Sequence, residues 1–266
     1  MPIFIDQMLR EVEINTKPQR IISLVPSQTE LLFDLGLDNE VIGITKFCIH
    51  PKHWLKEKNI VGGTKKLNLK KIEALKPDLI IGNKEENSKE DIEILMQKFP
   101  VWMSDINNLA QALQMIESIA TITHKTQHGM LLNNKIKEEF NHLQDPIHTK
   151  KRVAYFIWNE PLMVVGENTF INNLLEKIGL VNVFAADIKS KQISYRYPQI
   201  TAAELQAASP DIIYLSSEPF PFKDKHVQLF KSICPHTQIK IVDGEMFSWY
   251  GSRLAKAPTY FKTLIA

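Results

Sequence analysis

Ile72-Glu-Ala-Leu-Lys-Pro77-Asp78-Leu-Ile-Ile81 reads as the end of an apolar-faced helix, a Pro-Asp break and a short apolar strand. The same reading recurs at Leu205-Gln-Ala-Ala-Ser-Pro210-Asp211-Ile-Ile-Tyr214. A second echo precedes each copy: Glu30 to Leu37 and Asn173 to Leu180 both pattern as a helix closed by a glycine, Gly36 or Gly179, at its C-terminal end. Two copies predict two related α/β lobes. Parallel α/β sheets bind ligands outside the carboxyl ends of their strands, so two lobes predict a ligand cleft.

Working outward, Ile21 to Val25 is a compact apolar run ending at Pro26-Ser27, and a helix carrying Leu31, Leu32 and Leu35 follows. A strand at Val41 to Ile44 leads into the loop Phe47-Cys48-Ile49-His50-Pro51. This alternation predicts a parallel sheet covered by helices. Between the Pro-Asp copies, Leu109, Leu113, Ile116 and Ala120 sit at helical spacing, and so do Leu132, Ile136, Phe140 and Leu143. The second of these helices, near 125–145, would span on the order of 30 Å. Gly129 weakens it near its start, and Asp145-Pro146 ends it. The predicted organisation is an N-terminal α/β lobe at 1–124, a connecting helix at 125–145 and a C-terminal α/β lobe at 146–266.

Composition narrows the class. Of 266 residues 44% are hydrophobic and 23% charged, a globular balance. The formal charge of +2 is the small difference between 32 basic and 30 acidic residues, which argues against a nucleic-acid partner. Cys48 and Cys234 lie in different halves without paired spacing, so neither a disulfide framework nor a zinc ribbon is indicated. The start, Met1-Pro-Ile-Phe-Ile-Asp6, lacks a basic segment followed by a long apolar run, and predicts a cytoplasmic chain. No window reaches the roughly 18 uninterrupted apolar residues of a membrane helix.

Several segments, taken in order, carry a resemblance: Arg20 to Leu32, Asn68 to Ile81, Asn182-Val-Phe184, Tyr197-Pro-Gln-Ile-Thr201 and Ser252 to Pro258. From about Arg20 to the C-terminus the chain resembles the helical-backbone substrate-binding proteins of ABC importers, and within them the cobalamin-binding branch. The resemblance implies two Rossmann-like lobes with parallel sheets joined by one long α-helix. It also implies non-catalytic binding of a cobalamin-, haem- or siderophore-like ligand between the lobes, and an ABC permease as partner. The positions aligned with ligand-facing aromatics of the cobalamin branch are His50, Thr64, Asn83 and Tyr197; only the last keeps a ring, which argues against cobalamin itself. The family's two permease-docking glutamates align with Lys70 and Ala203, one reversed in charge and one deleted. Glu204, next door, completes a capping box with Thr201, and Lys70 falls in the first turn after an Asn68 cap.

Candidate site residues follow from loop positions. Cys48 and His50, two apart, can face one way and offer a thiolate and an imidazole to one metal; the alternative is a buried small Cys and a hydrogen-bonded loop His. Glu85 and Glu86 follow the strand Leu79 to Ile81, and Glu218 and Phe220 follow Ile212 to Leu215, so these are equivalent loops suited to a cationic group or a metal, or simply solvated carboxylates. The richest aromatic stretch, Phe247-Ser-Trp249-Tyr250-Gly-Ser-Arg253, suits a flat ligand through stacking and cation–π contact, with Trp158, Tyr195, Arg196 and Tyr197 as helpers, or else packs the second lobe's edge.

These readings predict a monomeric, non-catalytic receptor that holds a small ring-bearing or metal-chelate ligand through Phe47, Cys48, His50, Asn83, Glu85 and Glu86 of the first lobe. The second lobe would contribute Trp158, Arg196, Tyr197, Glu218, Phe220, Trp249, Tyr250 and Arg253. The cofactor is unknown. The rivals are a metal-dependent enzyme on the same architecture, using Cys48, His50 and the glutamates, and an intracellular interaction module with a degenerate cleft.

Overall fold

The structure, a computed structural model, describes residues 2–14, 17–143, 150–185 and 196–265. These divide into two compact units. Unit 1 comprises Met1–Ile106, Ala110–Lys137 and Trp249–Ala255; unit 2 comprises Asn107–Leu109, Glu138–Ser248 and Lys256–Ala266.

Unit 1 opens with a hairpin, β1 (Ile3–Ile5) and β2 (Glu11–Glu13), and continues β3 (Ile21–Ser23), α1 (Pro26–Asp34), β4 (Val41–Ile44), α2 (Trp54–Glu57) and β5 (Asn59–Ile60). A second small hairpin, β6 (Gly62–Gly63) and β7 (Lys66–Leu67), precedes α3 (Leu69–Leu75), β8 (Leu79–Asn83), α4 (Lys89–Met96) and β9 (Val101–Ser104). Two helices follow, α5 (Leu109–Ile122) and α6 (Thr126–Asn141). The main sheet runs β5-β4-β3-β8-β9, parallel throughout. Strands β3, β8 and β9 are buried on both faces, as a sheet covered by helices requires. The chain moves one way from β3 to β5, then returns to place β8 on the other side, so the order reverses between β3 and β8.

Unit 2 contains β10 (Arg152–Trp158), β11 (Met163–Val164), α7 (Phe170–Lys177), β12 (Val181–Asn182), α8 (Ala202–Ala208), β13 (Ile212–Ser216), α9 (Asp224–Ile233), β14 (Gln238–Val242), α10 (Gly244–Ser248) and α11 (Ala257–Ile265). Here β10, β13 and β14 are parallel neighbours, β11 adds antiparallel to the upper part of β10, and β12 pairs with its start. Phe156, Leu205, Leu215, Phe222 and Phe230 meet in the core beside this sheet.

The Pro-Asp repeat becomes physical in these units. Asp78 accepts from the backbone N–H of Gln19 and of Arg20, both at 2.8 Å, while the Arg20 guanidinium donates to the Leu75 carbonyl. Asp211 accepts from the backbone N–H of Arg152 at 2.7 Å, and Arg152 Nη2 donates to the Ala208 carbonyl at 2.7 Å. Each unit thus ties the entrance of its first core strand to the end of a helix and to the Pro-Asp turn, satisfying backbone groups that helix and strand ends leave open. Before each proline stands a left-handed residue, Lys76 (φ 47°) or Ser209 (φ 43°), as expected where proline disfavours right-handed helix. The glycine echoes are alike as well. Gly36 N–H bonds Phe33 O and Leu37 N–H bonds Leu32 O; Gly179 N–H bonds Glu176 O and Leu180 N–H bonds Leu175 O. Both are Schellman closures with a left-handed glycine, φ 72° and 77°.

The stretch predicted near 125–145 contains α6, and Asp145-Pro146 lies outside the described residues. Gly129, which looked like a weakness, is where α6 approaches α5: a Cβ there would stand 2.4 Å from that of Ala120. One difference from the sequence reading concerns Trp249–Ala255, which belongs to unit 1 and not to the C-terminal half. Among the described residues no helix is long and apolar enough to cross a membrane.

Candidate functional site

Ligand sites of open α/β sheets lie beyond the carboxyl ends of the strands, where strand order reverses. In unit 1 that point is flanked by the turn after β3, leading into α1, and by the loop after β8. Polar side chains are buried beneath it. Ser104 Oγ accepts from Gln28 Nε2 at 2.7 Å and from Asn83 Nδ2 at 3.0 Å. Asn83 Oδ1 in turn accepts the N–H groups of Glu85 and Glu86, at 2.8 and 3.0 Å, and Asn87 Oδ1 accepts the N–H of Asn83 at 2.8 Å. Asn83 is therefore a buried shaper of the loop that presents Glu85 and Glu86.

The loop after β4 presents Phe47 and His50. Phe47 is half exposed, at 50%. Cys48, beside it, is fully buried, its Sγ between the hydroxyls of Thr29 (3.1 Å) and Thr45 (3.2 Å). Burial pushes its thiol up to about 11, which keeps it protonated at neutral pH. Cys48 thus anchors the loop. Among the described residues no three His, Cys, Asp or Glu side chains gather to hold a metal.

Trp249, Tyr250 and Arg253 do converge, but as buried side chains of unit 1. The Trp249 ring, 6% exposed, meets His50 edge-on at 5.4 Å and carries the Arg253 guanidinium 4.7 Å from its centre. Arg253, 8% exposed, donates through Nε and Nη2 to both carboxylate oxygens of Glu30, at 2.9 and 2.8 Å. Tyr250 donates its hydroxyl to Glu86 at 2.6 Å; burial first, and the Glu86 charge second, push its ionisation well upward. The sequence reading missed Glu30 as the partner. A carboxylate next to Leu31 and Leu32, on a helix packed over an apolar strand, was the available signal, because a buried charge requires a counter-charge.

In unit 2 the order reverses between β10 and β13; Trp158 ends β10, and the loop after β13 carries Glu218 and Phe220. Trp158, 40% exposed, packs edge-on against Phe220 at 5.5 Å, which leans on Phe222 and His226. Glu218 accepts from Ser248 Oγ at 2.5 Å. Arg196 bonds the Asn107 side chain and lies 6.0 Å from the Tyr197 ring. Tyr195 lies outside the described residues. Lys70 and Ala203 are exposed at the second positions of α3 and α8. The Asn68 cap forms, accepting from Lys71 N–H at 3.0 Å, and Glu204 is tied into the Thr201 capping box.

The sequence of this two-sheet chain matches a known family, periplasmic binding protein, over residues 21–232. The chain belongs to that family. It is 25% identical over 205 residues to a vitamin B12-binding protein of Vibrio campbellii, covering 76% of this chain and 72% of that one. To an uncharacterized ABC transporter substrate-binding lipoprotein of Bacillus subtilis it is 26% identical over 223 residues, 80% of this chain and 68% of that one. Among solved structures, the periplasmic heme-binding protein of Vibrio cholerae superposes with a TM-score of 0.78 at 20% identity, over 93% of this chain and 98% of that one, a likeness of fold alone.

Membership corrects one expectation. The cytoplasmic assignment drawn from the first residues does not hold, because the family is periplasmic and a relative is a lipoprotein. A fold and sequence match over most of the chain outweighs the composition of a few residues at its beginning.

Proposed function

We propose that this chain is the substrate-binding component of an ABC importer and that it captures a small ring-bearing or metal-chelate ligand of the cobalamin, haem or siderophore kind. One observation carries the reading: Phe47, on the loop after β4, and Trp158, the last residue of β10, are each 40–50% exposed at the carboxyl ends of their own sheets. Large rings left in water on functional loops are ligand platforms in waiting. Burying one stabilises a complex by roughly 1.5 to 3 kcal/mol. Relatives named for vitamin B12 and heme support the ligand class.

The ligand is held without chemistry. Cys48, the nucleophile nearest these loops, keeps its proton at neutral pH, and a thiol without thiolate character is inert. Phe47, His50, Glu85 and Glu86 are the candidate contacts at the carboxyl end of the unit 1 sheet, and Trp158, Arg196, Tyr197, Glu218 and Phe220 are those of unit 2, whereas Cys48, Asn83, Trp249, Tyr250 and Arg253 hold the loops of unit 1 in shape. The receptor works as a monomer with a permease and no nucleic acid. Lys70 and Ala203 offer that permease no carboxylates, so its contact runs through other groups.

Native mass spectrometry of protein purified from its own host tests the reading. A bound organic increment of several hundred daltons or more is expected; a protein that carries no ligand and binds neither cyanocobalamin nor hemin in titrations overturns it.

A further inference from the structure

Phe47 is not an isolated exposed ring. Lys46 lays its Nζ over it, 5.0 Å from the ring centre, and no carboxylate among the described residues pairs with that ammonium. Both stand on Gly63 of the β6–β7 hairpin: a Cβ at that position would lie 3.1 Å from Phe47 Cε2 and 3.4 Å from Lys46 Cε. A side chain at position 63 would crowd both the ring and the lysine stem, and glycine leaves them room against the hairpin. The backbone beneath is fixed too, since Lys46 N–H bonds Gly62 O at 2.9 Å and Ile49 N–H bonds Phe47 O at 2.9 Å. On the neighbouring loop Lys65 Nζ donates to the Glu85 carbonyl at 2.6 Å, again with no carboxylate partner among the described residues, whereas Lys84 is paired with Asp105 and Glu86 accepts from Tyr250.

The geometry points to a ligand that is anionic: a flat conjugated ring bearing one or more carboxylates, packed against the exposed part of Phe47 with a carboxylate on Lys46. This rests on the ligand-binding reading above and adds the charge of the ligand to it. Covering Phe47 with an uncharged ring strips water from Lys46 and returns nothing. A desolvated ammonium is costly unless it is paired. A carboxylate at the ring's rim replaces the lost water and makes a charge-assisted hydrogen bond.

Zinc protoporphyrin IX, which carries two propionates, and its uncharged dimethyl ester test this by fluorescence titration, with cyanocobalamin as an uncharged-rim control. The acid should bind at least tenfold tighter than the ester. Lys46→Gln should remove most of that preference, by weakening the acid and, with no ammonium left to desolvate, somewhat tightening the ester, and Phe47→Ala should weaken both. Because Lys46 and Phe47 are exposed, both variants should keep the parent melting temperature, so lost binding is not lost folding. Equal affinity for acid and ester, or an acid preference that survives Lys46→Gln, overturns the anionic assignment and leaves the receptor reading standing. Failure of all three probes to bind, with no ring compound retained from the host, overturns both.

Discussion

Arg253 grips Glu30 with two parallel hydrogen bonds, Nε to Oε2 at 2.9 Å and Nη2 to Oε1 at 2.8 Å, and both side chains are nearly buried. The pair lies 223 residues apart in sequence, and it fastens Trp249–Ala255 onto α1 within unit 1. Fork-to-fork pairing of this kind fixes orientation as well as distance. Lysine cannot reproduce it.

Breaking the pair from one side should be severe. Glu30→Gln or Arg253→Met strands a buried charge, and each should cost about 3 to 5 kcal/mol in urea unfolding. The double change Glu30→Leu with Arg253→Met should recover most of that loss. A single variant that costs under about 1 kcal/mol would show the pair to be solvated.

Gly251 sits where no side chain fits: a Cβ would lie 2.4 Å from the Ser27 carbonyl oxygen and 3.3 Å from Leu31 Cβ. Gly251→Ala should therefore push the segment off α1 and lower stability by about 1 to 3 kcal/mol. The loss should shrink in the Glu30→Leu, Arg253→Met background, where the segment is less tightly held. Additive losses would contradict a shared clasp.

Alkaline pH should unfold this protein earlier than its acidic groups would suggest. Burial raises Cys48 from 9.0 to about 11 and Tyr214 from 10.0 to about 12, and pushes Tyr155 and Tyr250 upward as well. Between pH 9 and 11 the unfolded chain has shed a Cys48 proton that the folded chain retains. Stability is thus undiminished below pH 9 and falls as pH rises through 11, by on the order of 2 to 3 kcal/mol for Cys48. Urea melts at pH 8, 9, 10 and 11 check the slope. Cys48→Ser should flatten it between 9 and 11, and an unchanged slope in that variant would remove Cys48 from the account.

The two exposed-versus-buried tryptophans should respond in opposite ways. Trp158→Ala should weaken the host ligand about tenfold, on the scale of one buried ring face, with a stability change under about 1 kcal/mol. Trp249→Ala should cost about 3 to 5 kcal/mol in stability, as for a buried aromatic. Equal loss of ligand affinity in both, at unchanged melting temperature, would return Trp249 to the ligand surface.

The fold was legible where backbone chemistry leaves a residue signature. Pro77-Asp78 and Pro210-Asp211, Gly36 and Gly179, and the Asn68 and Thr201 caps each mark a hydrogen-bonding need that few residues meet. The positions of the candidate residues were legible in outline: Phe47, Glu86 and Glu218 lie on loops after strands as read, while Trp158, read as a loop residue, ends β10. What stayed hidden were partners distant in sequence. Nothing around Arg253 names Glu30, and nothing around Tyr250 names Glu86, because such pairings are set by how segments pack. Cys48 and Trp249 look equally suited to a ligand or a core by residue type, and only their burial among Thr29, Thr45, His50 and Arg253 tells which.

The arginine–aspartate ties at the strand entrances carry a consequence for ancestry. Arg20 and Asp78 are 58 residues apart, Arg152 and Asp211 59; Arg20 and Leu75 are 55 apart, Arg152 and Ala208 56. Each half therefore closes its own loop of chain at nearly the same length with the same pair of residue types. A unit that seals itself can be copied whole and joined to its twin, after which the residues between the closure points are at liberty to drift toward separate duties. The Lys46–Phe47 contact on one half and the Trp158–Phe220 stack on the other show how far the two have diverged within a frame still common to both.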